Sequence, residues 1–149
     1  MNETHASSPK AEPFSAASAV AAGIDFAELQ VGTQGLFWNE YRPEDAACRI
    51  WHWREGTAKC LTPPGFSVRS RVYEYGGGAF CLTDDGIVFV NEADQQLYRQ
   101  SLQGETPVVL TSGECRYGDL KFAEGQVLAV EEQRNRHRLV AIDLASGMR

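Results

Sequence analysis

The sequence predicts an all-β chain that forms part of a β-propeller. Three observations carry this. Short apolar and aromatic runs alternate with Gly, Asp, Asn and Pro turn signals; the runs recur at about 40 to 50 residues, the length of one propeller blade; and some of them are apolar throughout, as in strands covered on both faces.

Taken in order, residues 1–23 are rich in Ala, Ser and Pro, carry neither a basic leader nor an apolar run of membrane-spanning length, and read as a flexible arm. From residue 24 to 149 the unit is four strands long. The first blade, about 24–63, reads as Phe26 to Val31, Leu36 to Tyr41, Arg49 to Arg54 and Ala58 to Thr62. The second, about 74–112, reads as Ala79 to Thr83, Ile87 to Asn91, Gln96 to Gln100 and Pro107 to Thr111. The third, about 116–149, reads as Tyr117 to Phe122, Val127 to Glu131 and Arg138 to Asp143, and has no fourth strand.

Polar turns at Arg42 to Ala47, Glu92 to Gln95 and Gln133 to His137 close the same hairpin in each unit. Gly35 to Gly86 is 51 residues, Gly86 to Gly125 is 39, and Leu61 to Leu110 is 49, with Leu-Thr ending the fourth strand both times. A β-sandwich or barrel of short strands is the alternative, but neither requires that period or those repeated ends. Ile87 to Val90 and Val127 to Val130 do not alternate, and both are expected to be buried on two faces. Propellers close with about four to eight blades, so the chain is expected to be a piece of a longer protein. Its last strand, Leu139 to Asp143, is expected to have an unpaired edge that promotes self-association.

Charge and composition exclude several functions. A net charge of −6, from 20 acidic and 14 basic residues, is the wrong footprint for nucleic acid. The basic knot Arg134 to Arg138 reads as a solvated turn, and no membrane anchor is found. Four cysteines without a CxxC pair suit reduced, structural thiols in a cytoplasmic protein. Cys48, His52 and Cys60 match no zinc spacing, so no metal and no cofactor is expected.

Catalytic parts are missing as well. No serine lies in a G-x-S-x-G frame, and His5, His52 and His137 offer no triad. His52, between Trp51 and Trp53, reads as a satisfied strand histidine. Gly76-Gly77-Gly78 has neither dinucleotide nor P-loop spacing. The acidic pairs Asp84-Asp85 and Glu131-Glu132, and Asp94 near Glu92, read as solvated turns.

One stretch stands apart, Arg69-Ser-Arg-Val-Tyr-Glu-Tyr-Gly-Gly-Gly-Ala-Phe80. Three consecutive glycines cost so much backbone entropy that a close approach or positive φ must need them. Glu74, flanked by Tyr73 and Tyr75 with Arg71 three residues before, is the strongest candidate for a buried or channel-facing polar site. Arg71, Glu74 and Tyr75 are therefore the candidate residues for contact with a substrate or an adjoining domain.

The segment Leu61 to Phe80 resembles a propeller segment of the prolyl oligopeptidase family of serine peptidases, whose bacterial acylaminoacyl-peptidase and dipeptidyl-peptidase-like members carry L-T-P-x-x-x-N-V-R-T-R-V-H-E-Y-G-G-G. Leu36-Phe-Trp-Asn-Glu40, Asp94-Gln-Gln-Leu-Tyr-Arg99, Arg116-Tyr-Gly-Asp-Leu120 and the strand Leu139 to Asp143 are similar to further family segments, in order, from about Ile24 to Asp143. Ser67, Ser70, Tyr73 and Gly118 depart from the family's Asn, Thr, His and Ala. The resemblance implies an N-terminal, non-catalytic propeller that gates peptide access to an α/β-hydrolase domain of the same parent protein. The catalytic residues of that family lie in the hydrolase domain, so none maps onto this chain. The alternative is a stand-alone propeller that binds a partner protein and has no enzymatic activity.

Overall fold

The computed structural model describes residues 23–149; the arm expected over 1–23 lies almost wholly outside the described residues. Strands β1 (Asp25–Gly32), β2 (Gly35–Arg42), β3 (Ala47–Arg54) and β4 (Thr57–Cys60) form one antiparallel sheet in sequence order. The second sheet holds β5 (Phe80–Leu82), β6 (Gly86–Val90), β7 (Leu97–Ser101) and β8 (Val108–Val109). The third holds β9 (Arg116–Ala123), β10 (Gln126–Gln133) and β11 (Arg136–Asp143), with β9 and β11 flanking β10. The molecule is all-β, a partial propeller with two four-stranded sheets and one of three.

Each sheet packs only on its sequence neighbours, and β6 shows why its sequence is apolar throughout. Ile87 and Phe89 point at the first sheet, where they join Phe37, Ile50, Leu61, Val68, Ala79 and Phe80. Val88 and Val90 point the other way, into a second core with Leu97, Tyr117, Leu120, Val127, Ala129 and Ile142. The middle sheet is thus covered on both faces, and burial of each such side chain contributes about 1.5–3 kcal/mol.

The same reading fails for β10. Val127 and Ala129 are buried, but Leu128 is 43 % exposed, so this strand alternates. The cause is position in the stack: the third sheet has a neighbour on one side only among the described residues. Its outer strand β11 is an edge, with Leu139 87 % exposed.

The repeated Leu-Thr ends have a structural reason. The Thr62 hydroxyl accepts the Ile50 N–H at 2.9 Å, and the Thr111 hydroxyl accepts the Leu97 N–H at 2.9 Å. Beside each, the leucine N–H bonds back to the same residue's carbonyl, Leu61 to Ile50 and Leu110 to Leu97, both at 2.8 Å. The threonine side chain so continues the ladder where the fourth strand turns away, and leaves no buried N–H unpaired. No helix among the described residues is long and apolar enough to cross a membrane.

Candidate functional site

The inner strands β1, β5 and β9 lie side by side, and the segment 69–78 is the connection that delivers the chain to β5. It leaves the first sheet tied on both sides: Val68 N–H bonds to Cys48 O at 2.8 Å and Arg69 N–H to Val90 O at 3.1 Å. Ser70 is buried, donates to Tyr117 O at 2.5 Å and accepts the Val72 N–H at 3.1 Å. Val72–Glu74 then make a single 3-10 turn, with Val72 buried.

The glycines follow at once. Gly76, Gly77 and Gly78 all have positive φ, 71°, 119° and 56°. A Cβ on Gly78 would stand 2.4 Å from Asp119 Cα, and one on Gly76 would stand 2.3 Å from Ser70 O. That proximity lets Gly77 O and Gly78 O accept the N–H groups of Asp119 and Leu120, each at 3.0 Å. The triple glycine is a seam between the second sheet's inner strand and the third's.

A corresponding seam joins the first sheet to the second through a carboxylate. Glu28 sits on a bulge of β1 with φ 54°, and its Oε2 accepts the Ala79 N–H at 2.9 Å. Burial pushes its carboxyl above the ordinary value, against the lowering effect of the Ala79 and Phe80 N–H groups and the charge of Lys121. Glu28 was invisible in the sequence as a functional residue. Its one signal is the repeat, because Glu28, Ala79 and Asp119 each stand seven residues before the first residue of β2, β6 and β10.

Ion pairs fasten the loop to the hairpin turns around it. Arg71 pairs with Glu92 at 3.1 Å, and Arg69 approaches the same carboxylate at 3.8 Å. Burial raises the Glu92 carboxyl, but bonds from the Ser67 hydroxyl and Arg71 and the charges of both arginines outweigh it and hold Glu92 below its ordinary value. The Gln95 side chain accepts the Arg71 N–H at 2.7 Å and donates to Arg69 O at 3.1 Å. On the other side, Arg116 pairs with Glu74 and donates to Arg71 O at 3.2 Å, while Glu132 accepts the Tyr73 N–H at 3.0 Å. The Tyr73 ring, where the family pattern has histidine, lies against His137 with centroids 5.0 Å apart.

Glu74 is therefore neither buried nor paired with Arg71. Its side chain is 76 % exposed and reaches Arg116. The expected i−3 partnership fails because Tyr73 and Glu74 are left-handed, at φ 53° and 65°, which turns the carboxylate away from Arg71. Tyr75 is 97 % exposed. The three candidates share one connection, but Arg71 holds Glu92, Glu74 holds Arg116, and the Tyr75 side chain projects outward. Glu74→Ala is accordingly expected to cost about 1 kcal/mol or less, as exposed pairs do. Thermal unfolding checks this, and a loss above about 3 kcal/mol would mean a buried pair.

Other expected turn residues are also redistributed. Glu131 is fully buried in β10, with Arg138 at 2.6 Å, and Arg136 to Arg138 open β11 rather than extend the turn. Beside the start of the loop a cleft of about 330 Å³ is lined by Asp25, Ala27, Asn39, Tyr41, Cys48 and Arg69. His52 is buried, stacked on Phe37 at 4.3 Å and bonded to Gln34 O at 2.7 Å. Among the described residues no three metal-type ligands gather, and no serine hydroxyl bonds to a histidine.

The same arrangement of sheets recurs within two solved structures. The chain is similar to a puromycin-hydrolyzing peptidase of Mycobacterium tuberculosis, with 32% identity and a TM-score of 0.79, over 90% of this chain and 22% of that one. It is similar to a puromycin hydrolase with 25% identity and a TM-score of 0.76, over 90% of this chain and 24% of that one. The chain thus spans less than a quarter of the length of either. No family model and no curated protein matches it.

Proposed function

We infer that this chain, a propeller segment of the prolyl oligopeptidase family, is a non-catalytic part of a larger cytoplasmic serine peptidase and screens which peptides reach its hydrolase domain. One observation carries the reading: nine-tenths of the chain superposes on less than a quarter of a peptidase, and the part that superposes contains no nucleophile elbow. Propeller sheets supply a rigid wall; the inner strands face the axis, and the glycine seam keeps them close enough to narrow it. Arg71, Glu74 and Tyr75 are the residues proposed to meet the hydrolase domain or an incoming peptide, with Tyr75 free to do so because nothing among the described residues covers it. By likeness to the matched enzymes, small aminoacyl amides such as puromycin are among the proposed substrates of the larger protein.

The purified 149-residue chain is expected to turn over neither puromycin nor chromogenic aminoacyl anilides. Sustained turnover that disappears on mutating one of its serines would overturn the assignment. In the larger protein, Tyr75→Ala should raise KM for peptides and leave Tm unchanged, since the side chain supports no packing. Unchanged KM for every peptide length would remove Tyr75 from the screen.

A further inference from the structure

The first two sheets part at the strand ends opposite the 69–78 connection. There the β1–β2, β3–β4, β5–β6 and β7–β8 turns surround a cavity of about 560 Å³, whose lining falls between Gln34 and Gln103. His52 is the one buried residue of that lining, 5 % exposed. Its ring is fixed twice, by stacking on Phe37 and by Nε2 donating to Gln34 O at 2.7 Å. Gly35 lets the turn close over it, since a Cβ there would stand 3.1 Å from His52 Nε2 and 2.2 Å from Trp53 O. A carbonyl can only accept, so the neutral ring carries its proton on Nε2 and leaves Nδ1 as a bare acceptor. Nδ1 is buried and has no partner. Native proteins rarely leave such an atom without a donor.

Charge around the cavity is sorted by sheet. Arg54, at the end of β3, and Lys59, in β4, stand on the first sheet's wall; Asp84 and Asp85, in the β5–β6 turn, stand on the second's. Asp85 is engaged within its own sheet by Arg99 at 2.6 Å. Arg54 donates to Gln34 Oε1 at 2.6 Å and lies 3.4 Å from Glu55. Lys59 gives one N–H to Leu102 O at 3.1 Å and meets no carboxylate among the described residues. Asp84 meets no cation among them either, and no ion pair spans the cavity. Opposite charges thus face each other across open space, with an unmet acceptor between them.

We propose that this cavity binds a free dipeptide, its carboxylate at Lys59 and Arg54, its ammonium at Asp84 and its amide N–H on His52 Nδ1. The three groups of the ligand answer the three that the chain leaves unmet: a cation, an anion and a buried acceptor. A lone anion or cation satisfies one wall only. A free amino acid sets both charges on one carbon and brings no amide N–H, so it is the weaker ligand. The volume lies within the range of about 300–1,000 Å³ usual for small-molecule clefts. Arg71, Glu74 and Tyr75 lie at the other end of the strands, so this is a second surface and not the one proposed to meet the hydrolase domain. The proposal does not rest on the peptidase reading, because it concerns binding by this chain and not turnover.

Isothermal titration calorimetry of the 149-residue chain with alanyl-alanine tests it. The expected result is saturable binding at one site, weakened about 10-fold by N-acetylation or by C-terminal amidation of the dipeptide, the loss of one charge-assisted hydrogen bond each time. Asp84→Asn should weaken the free dipeptide about 10-fold and leave the N-acetyl form as it was; Lys59→Gln should do the same with the amidated form in place of the N-acetyl one. Both side chains are exposed, so both variants should keep the wild-type circular dichroism. Nitrogen NMR of the His52 ring gives a readout without substitution: saturation with dipeptide should move the Nδ1 signal and leave Nε2 in place. Absence of saturable binding, inorganic phosphate binding as tightly as the dipeptide, blocked dipeptides binding as well as the free one, or an unmoved Nδ1 signal would each overturn the proposal.

Discussion

Gly78→Ala is expected to lower stability by about 3 kcal/mol, which for a chain of this size lowers Tm by roughly 10 °C. Two physical effects add. A left-handed alanine costs about 1–2 kcal/mol, and a Cβ driven to 2.4 Å from Asp119 Cα forces backbone apart at an overpacked contact for about 1–3 kcal/mol more. The backbone cannot yield cheaply, because the Gly78 O to Leu120 N–H bond lies at the same point. Gly77→Ala separates the effects: its φ is also positive, but a Cβ there meets nothing within 4 Å. Equal losses in calorimetry for the two variants would show that strand proximity is not what requires glycine.

Glu131→Ala is expected to cost about 1.5–3 kcal/mol, the worth of a hydrogen bond to a buried charged group, because the arginines left behind, 52 % and 36 % exposed, turn to water. The carboxylate is fully buried, with Oε1 held by Arg138 at 2.6 Å. Oε2 lies 2.6 Å from an Arg149 nitrogen, but off the hydrogen-bonding direction, so that contact is one of charge alone. The Tyr117 phenol shares the pocket and is pushed up, first by burial and then by the nearby Cys115 and Glu131, against the opposing charge of Arg149. Chemical denaturation reads the loss. A change below about 1 kcal/mol would mean that water reaches this carboxylate.

The strands were legible and the charges were not. Ile87 to Asn91 was expected and Gly86–Val90 is found, Arg49 to Arg54 was expected and Ala47–Arg54 is found, because turn residues and apolar runs are local signals. Glu131 escaped because β10 and β11 run on to Gln133 and Arg136, so residues that read as a turn stand in the ladder. Glu74 escaped because side-chain spacing along a sequence assumes right-handed backbone, and two left-handed residues reversed its direction. The two-sided burial expected for Val127 to Val130 depended on a neighbour that no local pattern reports. Glu28 and Asp119 are legible only when the units are superposed on one another.

The glycine seam also sets an angle. Near the axis the sheets meet through Gly78, Ala79 and Gly118, with backbone against backbone; farther out they are held apart by Phe66, Phe89 and Tyr98, whose rings stack and abut at 5.2 to 6.0 Å. Thin at one end and thick at the other, each sheet is a wedge, and the taper decides how far one sheet is rotated from the next. Blade number is therefore written into the side-chain volumes at the two radii. Bulk added near the axis flattens the wedge and enlarges the circle on which the sheets lie, and bulk removed at the rim acts in the same direction.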